Sequence, residues 1–314
     1  MDALSVFELT KSYPVRNNSD FFAVRNLSFT AREGETIAFL GPNGAGKSTT
    51  IKILCGILTP TSGQVKIFGH QAGSVEGNRR LGLVFGTRSQ LHLHMTIKES
   101  LELCAEIYFV SGKQKHHRIQ ELAEMFDIQH HLNSRARTLS LGERMRCEIV
   151  AALIHKPQIL LADEPTIGLD IVAKNKLREL ILQWQKEERT TVLLTSHDLS
   201  DVEALCQRCI LIDHGQKQYD GPLAELKGPL KSLRRVRVTL SDAHLSLLDL
   251  SGGPTNNIIK KSIESNFIHN YEFDTVKHPL AESINNIIRH YGDNIQDLQI
   301  QEVSLEEVLR QRFS

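Results

Sequence analysis

The sequence contains no apolar run that approaches the ~18 residues of a membrane-spanning helix, so any function at a membrane would require a separate embedded partner. It also lacks an excess of charge, with 37 acidic and 37 basic residues among 314. No long block of lysine or arginine occurs, which leaves little electrostatic attraction to nucleic acid or anionic lipid. Nucleic acid is therefore not expected as a partner.

Cysteine is scarce, and its five copies are scattered and odd in number. The first residues carry no basic-then-apolar secretion signal, so a reducing, cytoplasmic setting is expected. Cys206 and Cys209 have the C-x-x-C spacing of a redox pair or half a zinc site, but no second pair lies at metal-ligand spacing. We therefore expect two small apolar side chains packed under a sheet. No H-E-x-x-H pattern occurs, and surface positions are expected for His92, His94, His116, His117, His130 and His131.

The rhythm of the sequence changes near Gly228-Pro229. Before this point, short β-branched apolar runs alternate with helical patterns, and after it the elements are shorter and more polar. A chain of this length can bury a full core and still form a smaller second domain. Two domains are predicted, residues 1–228 and 229–314.

Alternation of strands and helices in the first domain predicts an α/β fold with a parallel sheet. Helical patterns dominate about residues 90–153, where Thr96 and Glu99 form a capping box, and this region is predicted to be a helical insert between strands. A further helix is expected at 49–58. An early strand is expected at Val24–Phe29. Buried strands are expected at Thr36–Leu40, Ile159–Ala162 and Thr191–Leu194.

The second domain shows a different order of elements. Its patterns predict a small α+β sandwich rather than a continuation of the first sheet. Strands are expected at 235–240, 270–273 and 297–303, and helices at 280–290 and 304–312.

A glycine-rich segment between the predicted strand at 36–40 and the helix after it matches G-x-x-x-x-G-K-[ST]. In that context, successive backbone N–H groups and a helix N-terminus form an anion site, Lys47 reaches the β and γ phosphates, and Ser48 holds Mg²⁺. A chance match in a glycine-rich turn is the alternative, and the flanking elements disfavour it. The predicted ATP contacts are Gly41, Pro42, Asn43, Gly44, Ala45, Gly46, Lys47, Ser48 and Thr49.

Two adjacent carboxylates end the predicted strand at 159–162. Asp163 can bind the magnesium shell through oxygen, and Glu164 can polarise the attacking water as a general base. Such a pair taken alone is more often a solvated rim or a helix cap. Beside a phosphate-binding loop, the catalytic interpretation is favoured.

These residues, together with three further motifs, resemble an ABC-type ATPase subunit over roughly residues 1–225. Leu139-Ser140-Leu141-Gly142-Glu143 is similar to the family signature, Gly168-Leu169-Asp170 to its D-loop, and Thr195-Ser196-His197-Asp198 to its switch-histidine loop. The resemblance implies a P-loop NTPase core with an antiparallel β subdomain and a helical subdomain. It also implies two ATPase domains sandwiching two ATP molecules, with the signature of one copy meeting the γ-phosphate held by Lys47 of the other. The signature residues carried over are Ser140, Leu141, Gly142 and Glu143, and Asp170 is the D-loop residue.

The resemblance assigns two more residues and exposes one departure. His197 takes the switch role at the γ-phosphate or the attacking water, and Tyr13 occupies the position of the adenine-stacking aromatic, with Phe21 and Phe22 as competitors. The family places a glutamine after the segment 81–85, where this chain has Thr87. Either Gln90 replaces it from an altered loop, or the hydroxyl of Thr87 acts through a water molecule. Leu141 and Glu143 are milder departures from the usual glycine and glutamine.

The leading functional hypothesis is the ATPase subunit of a membrane transporter, located peripherally at the cytoplasmic face of the cell membrane. It would pair with a second copy or a related subunit and act on separate transmembrane permease subunits. Residues 303–308 are similar to the C-terminal ending of many bacterial exporter ATPases, which favours export. The alternatives are a soluble ABC-type ATPase acting on ribosomes or DNA, and a nucleotide sensor that barely hydrolyses ATP.

Overall fold

The structure is a computed structural model of the chain. It divides into two compact units, Met1–Leu223 and Ala224–Ser314. The domain boundary at 228/229 stays a prediction. The described residues are 1–14, 20–86, 89–196, 198–226, 233–241, 258–265, 267–275 and 279–302.

The first unit alternates strands and helices along the chain. Its strands are β1 (Asp2–Tyr13), β2 (Phe21–Arg32), β3 (Thr36–Leu40), β4 (Ser62–Ile67), β5 (His70–Gln71), β6 (Leu81–Phe85), β7 (Ile159–Asp163), β8 (Thr191–Thr195), β9 (Arg208–Asp213) and β10 (Gln216–Pro222). Its helices are α1 (Lys47–Leu54), α2 (Val75–Asn78), α3 (Ile97–Ile107), α4 (Gly112–Met125), α5 (Leu141–Leu153), α6 (Ile171–Glu188) and α7 (Leu199–Leu205). A short helix, α8 (Leu223–Leu226), follows at the unit boundary.

A six-stranded sheet with the order β10-β9-β3-β8-β7-β6 forms the centre of the first unit. Strands β9, β3, β8, β7 and β6 pair in parallel, and β10 is antiparallel to β9. Strands β3 and β8 are buried along their whole length, because a parallel sheet is covered on both faces. The predicted parallel sheet is confirmed.

A second, antiparallel sheet has the order β2-β1-β4-β5. The sequence did not predict β1, and β2 is longer than the expected strand at 24–29. The register of β1 shifts between Val6 and Leu9, and Glu8 has φ 46°, so the alternation of inward and outward side chains is interrupted. A period-two pattern cannot be read across such an irregularity.

The predicted helical insert consists of α3, α4 and α5. The capping box at the start of α3 is present, since Thr96 N–H donates to Glu99 Oε2 at 2.8 Å and Glu99 N–H donates to Thr96 Oγ1 at 3.2 Å. The hydrogen bond from the Thr96 backbone lowers the pKa of Glu99. Among the residues that the structure describes, no helix combines the length and hydrophobicity needed to cross a bilayer.

The second unit contains β11 (Leu233–Leu240), β12 (Ile258–Ser265), β13 (Ile268–Asp274), α9 (Leu280–Tyr291) and β14 (Ile295–Glu302). Its strands form an antiparallel sheet with the order β12-β13-β11-β14. Val236, Val238, Tyr271 and Phe273 from the sheet pack with Ile287 of its helix in one small core. The α+β class agrees with the sequence, although β12 was not predicted, and the helix expected at 304–312 lies outside the described residues.

Two leucines on α6 test how the first unit is held together. Leu180 is 4% exposed and Leu182 is 41% exposed. We expect Leu180→Ala to lower the free energy of unfolding by ~2–5 kcal/mol, because it removes buried apolar contacts and leaves a cavity. The matched change Leu182→Ala should cost about 0.5 kcal/mol or less. Urea unfolding of both variants measures the difference, and equal losses would contradict the packing of α6.

Candidate active site

The loop between β3 and α1 has two positions with a left-handed backbone conformation, which favours glycine. Gly44 and Gly46 have φ values of 83° and 101°. A Cβ added at Gly46 would lie 2.2 Å from the carbonyl oxygen of Ala23 on β2, whereas one at Gly44 would meet nothing within 4 Å. The conformation of the loop at Gly46 is therefore fixed by its close approach to a neighbouring strand.

Lys47 is 8% exposed and reaches back across this loop. Its Nζ donates to the carbonyl oxygens of Gly41 at 2.6 Å and Pro42 at 3.0 Å. Burial lowers the pKa of Lys47, and the nearby carboxylates of Glu164 and Asp163 oppose that effect. The ammonium group is thus held beside the loop by carbonyl oxygens and two acidic neighbours.

The loop and the two carboxylates form one cavity of about 400 Å³. The first N–H groups of α1 have no intrahelical partner, and their positive dipole end favours an anion. The cavity lining includes eight of the predicted site residues, Phe21, which the sequence offered as a competitor of Tyr13, and Ala23, which the sequence did not predict. Its residues are Phe21, Ala23, Asn43, Gly44, Gly46, Lys47, Ser48, Thr49, Asp163 and Glu164.

The ends of β6, β7 and β8 hold the two acidic residues in place. Thr195 Oγ1 donates to Asp163 Oδ1 at 2.5 Å, and Glu164 N–H donates to the Thr195 carbonyl oxygen at 3.1 Å. Glu164 has φ 55°, an uncommon conformation that is often found at functional sites. A Cβ at Gly86 would lie 2.0 Å from the Glu164 carbonyl oxygen. The chain leaving β6 therefore runs directly against the Glu164 backbone.

The aromatic residues near the cavity differ in position. Tyr13 and Phe21 are opposite each other in the pairing of β1 with β2, and both are exposed. Phe21 lines the cavity and Tyr13 does not. The ring of Phe22 lies 4.4 Å from the Arg25 guanidinium. Tyr13 as the adenine-stacking residue stays a prediction, and Phe21 is the competitor that lines the cavity.

The predicted signature residues form the start of α5. Ser140 N–H donates to Glu143 Oε2 at 2.9 Å and Glu143 N–H donates to Ser140 Oγ at 3.4 Å, which makes a second capping box. These bonds from Ser140, with the backbone bond first, lower the pKa of Glu143. His131 was expected on the surface, but its side chain is only 20% exposed, and its Nε2 lies 3.6 Å from Glu143 Oε1.

The signature packs against the predicted D-loop of the same chain. A Cβ at Gly168 would lie 3.0 Å from Leu141 Cδ2, and one at Gly142 would lie 3.0 Å from the Ala173 Cβ. Asp170 caps α6 by accepting a 2.8 Å hydrogen bond from Ala173 N–H. The two segments line a cavity of about 490 Å³ that shares no residue with the phosphate-loop cavity. The described residues of one chain thus form two separate cavities, one at the phosphate loop and one at the predicted signature.

Two predicted residues, Thr87 and His197, lie outside the described residues, so their roles stay predictions. Gln90 is described, and its side-chain amide donates to the Leu83 carbonyl oxygen on β6. Gln90 does not line the phosphate-loop cavity. Thr87 and Gln90 both stay predictions as the replacement for the family glutamine.

Hydrogen bonds that the sequence did not reveal fix the positions of Ser196 and Asp198, the residues before and after position 197. Asp201 is 0% exposed and accepts hydrogen bonds from Thr166 Oγ1, from Ser196 Oγ at 3.0 Å and from Arg178 Nε at 2.6 Å. On the other side, Lys174 Nζ donates to Asp198 Oδ2 at 2.6 Å, and this hydrogen bond, together with those from Ser200, lowers the pKa of Asp198 to about 2. The spacing of Lys174 and Arg178, four residues apart on one face of α6, was the available signal.

Cys206 and Cys209 are both buried, as the sequence predicted. Burial raises the pKa of the Cys206 thiol. Within the described ranges, no group of three or more His, Cys, Asp or Glu residues is arranged to hold a metal ion. Oxygen ligands near the phosphate loop are available from Ser48 and Asp163, which both line its cavity.

The loop, the carboxylate pair and the parallel sheet define a P-loop nucleotide-binding protein. A family model described as ABC transporter matches residues 24–167. The chain is 37% identical over 206 residues to the ABC transporter ATP-binding protein NatA of Bacillus subtilis (strain 168), an alignment that covers 65% of this chain and 83% of NatA. It is 30% identical over 293 residues to the linearmycin resistance ATP-binding protein LnrL of the same strain, which covers 91% of each chain.

Solved structures give the same result. The dimeric structure of a post-hydrolysis state of the ATP-binding cassette MJ0796, bound to ADP and Pi, matches with a TM-score of 0.62 and 28% identity, over 70% of this chain and 98% of that one. The chain belongs to the family of ABC transporter ATP-binding subunits, whose cassettes bind nucleotide and hydrolyse ATP.

Substitutions at the two loop glycines test the geometry of the phosphate loop. Gly44→Ala and Gly46→Ala both place an alanine at positive φ, a strain of ~1–2 kcal/mol. Only Gly46→Ala also drives its Cβ into the Ala23 carbonyl oxygen. We expect Gly44→Ala to weaken ATP binding by about 10-fold or less and Gly46→Ala to abolish it, as measured by equilibrium binding of labelled ATP. Equal binding by the two variants would contradict the close approach to β2.

Proposed function

We propose that the chain is the ATP-hydrolysing subunit of an exporter and acts as a dimer on separate membrane subunits. The separation of the two cavities carries this proposal. The phosphate-loop cavity contains Lys47 but no signature residue, and the other cavity contains Ser140 and Gly142 but no part of the phosphate loop. Two chains in opposed orientation would complete both sites.

In each site, Lys47 and the N–H groups of the loop bind the phosphates of ATP. Ser48 and Asp163 supply the oxygen atoms that suit Mg²⁺, which neutralises charge on the phosphates when bound. Glu164 orients and deprotonates the attacking water, and His197 stabilises the γ-phosphate. The N-terminal end of α5, with Ser140 and Gly142, brings its positive dipole to the γ-phosphate of the other chain.

Apolar side chains beside the D-loop support association of two chains. Ile167 is 43% exposed, and Ile171 and Val172 at the start of α6 are 76% and 79% exposed. Exposed apolar residues that cluster in this way mark interaction surfaces. Asp170 lies between them, at the N-terminus of α6.

The role of Glu164 is tested by Glu164→Gln. The carboxamide keeps the size of the side chain but cannot take the proton, so kcat should fall by ~100-fold or more while ATP still binds. The exposed residue Glu179 on α6 provides the control, since Glu179→Gln should leave kcat unchanged. Steady-state ATPase assays and equilibrium binding of labelled ATP give both quantities. An unaltered kcat for Glu164→Gln would rule out this residue as the base.

A second apolar surface, on the helical subdomain, supports a membrane partner. Leu103 and Ile107 are exposed on one face of α3, and Phe109 directly after this helix is 76% exposed, with its ring 5.2 Å from the Arg79 guanidinium. Because α3 and α5 belong to the same helical subdomain, a partner bound here would sense movement of the signature. We infer that the permease subunits dock on this surface, at the cytoplasmic face of the membrane.

The direction of transport is inferred from the relatives. The alignment with LnrL, a linearmycin resistance ATP-binding protein, extends over both units of this chain. Resistance to an antibiotic is consistent with export, and the similarity of residues 303–308 to exporter endings points the same way. Export of a drug-like or lipid-like substrate is therefore the favoured function.

Affinity purification from detergent-solubilised membranes tests the partner. The tagged chain should recover a polytopic membrane protein, and Leu103→Ser with Ile107→Ser should reduce that recovery by about 10-fold, because each loses buried apolar area. Leu182→Ser, at an exposed position on α6, is the matched control and should recover the partner normally. Recovery of the subunit alone, or with ribosomes, would instead support a soluble ATPase.

A further inference from the structure

The signature helix α5 carries a buried carboxylate with no role in the site described above. Glu148 is 3% exposed. It accepts hydrogen bonds from Ser89 Oγ and from Gln90 N–H, the latter at 2.8 Å, and the backbone of Leu91 also contributes. Burial raises the pKa of Glu148, and these bonds oppose the rise. A buried carboxylate is costly unless its oxygens are satisfied, and here three consecutive residues of one loop satisfy them.

The position of Glu148 connects two parts of the site. Ser140 begins α5, and Glu148 lies about 12 Å further along the helix axis. The loop segment that it holds follows β6, whose end at Gly86 runs against the backbone of Glu164. Glu148 therefore joins the helix of the signature to the loop that leaves the carboxylate pair.

The same loop segment is also attached to the sheet. The side chain of Gln90 donates to the Leu83 carbonyl oxygen on β6, and Gly86 N–H donates to the Asp163 carbonyl oxygen at 2.8 Å. Movement of α5 relative to β6 must therefore pull on residues 89–91 through Glu148. An apolar side chain at position 148 could fill the same volume but would accept none of these hydrogen bonds.

We propose that Glu148 is a positioning residue for ATP hydrolysis, which holds residues 89–91 to α5 so that the signature and the loop after β6 move as one body. The inference rests on the proposed dimeric site, in which the signature of one chain approaches the ATP of the other. Glu148 touches neither ATP nor water. When the signature moves toward the ATP of the other chain, Glu148 makes the loop beside Glu164 move with it.

Glu148→Gln is the direct test. The carboxamide has one acceptor oxygen and presents its NH₂ group to the remaining donors, so the segment is released while the side-chain volume is kept. We expect kcat to fall by about 10-fold, with the KM for ATP within about 2-fold of the unaltered chain, because the lost bonds are to a charged group that acts only on positioning. The control is Glu124→Gln, which removes an exposed carboxylate from α4 and should change neither quantity.

Ser89→Ala provides a second, milder variant, because Ser89 is exposed and its loss cannot unfold the core. If Glu148 acts through this loop, the effects of Ser89→Ala and Glu148→Gln on kcat should be non-additive in a double-mutant cycle. A purely structural role predicts a lower urea midpoint with an unchanged kcat per folded molecule. That result, or additive effects on kcat, would overturn the proposal.

One further measurement separates this inference from the proposed function. Glu164→Gln should trap an ATP-bound dimer, which size-exclusion chromatography detects. If no dimer forms, the dimeric function fails, and the inference that rests on it fails too. If the dimer forms and Glu148→Gln leaves kcat unchanged, only the role of Glu148 is wrong. Dimer formation together with a reduced kcat and non-additivity supports both.

Discussion

The parallel pairing of β6, β7 and β8 is the constraint on which the site depends. In this register Phe85 is aligned with Asp163, and Asp163 with Thr195. The carboxyl ends of the three strands therefore meet at one edge of the sheet, and β3, on the other side of β8, delivers the phosphate loop to the same edge. Candidate site residues that are far apart in the sequence lie close together because parallel strands share a direction.

Hydrogen-bonded carboxylates then connect this edge to the helices. Asp201 accepts hydrogen bonds from Thr166, from Arg178 of α6 and from Ser196 of the predicted switch-histidine loop. Glu148 binds the loop that follows β6. Both are almost fully buried, where an unsatisfied charge would be strongly destabilising. Each carboxylate therefore fixes the position of several loop residues at once, which apolar packing does less specifically because it is non-directional.

The sequence predicted those elements whose cause is local. Thr36–Leu40 was bounded correctly, because a buried parallel strand is a continuous apolar run, and the box at Thr96 and Glu99 involves only neighbouring residues. The irregular strand β1 was missed because its register shifts interrupt the alternating pattern. The bond from Ser89 to Glu148 joins residues 59 positions apart, and no spacing rule connects them. Tertiary ties of this kind become visible only in the folded chain.

The departures from the family pattern acquire a physical context from these contacts. Leu141 replaces the usual glycine of the signature, and its side chain packs against Gly168 of the D-loop. Gln90, the nearest glutamine to the altered position 87, is held to β6 through Leu83. In both cases the side chain at or near the changed position contacts another segment of the same chain. The side chain of Leu141 thus provides a contact between the predicted signature and the predicted D-loop, and Gln90 attaches its loop to the central sheet.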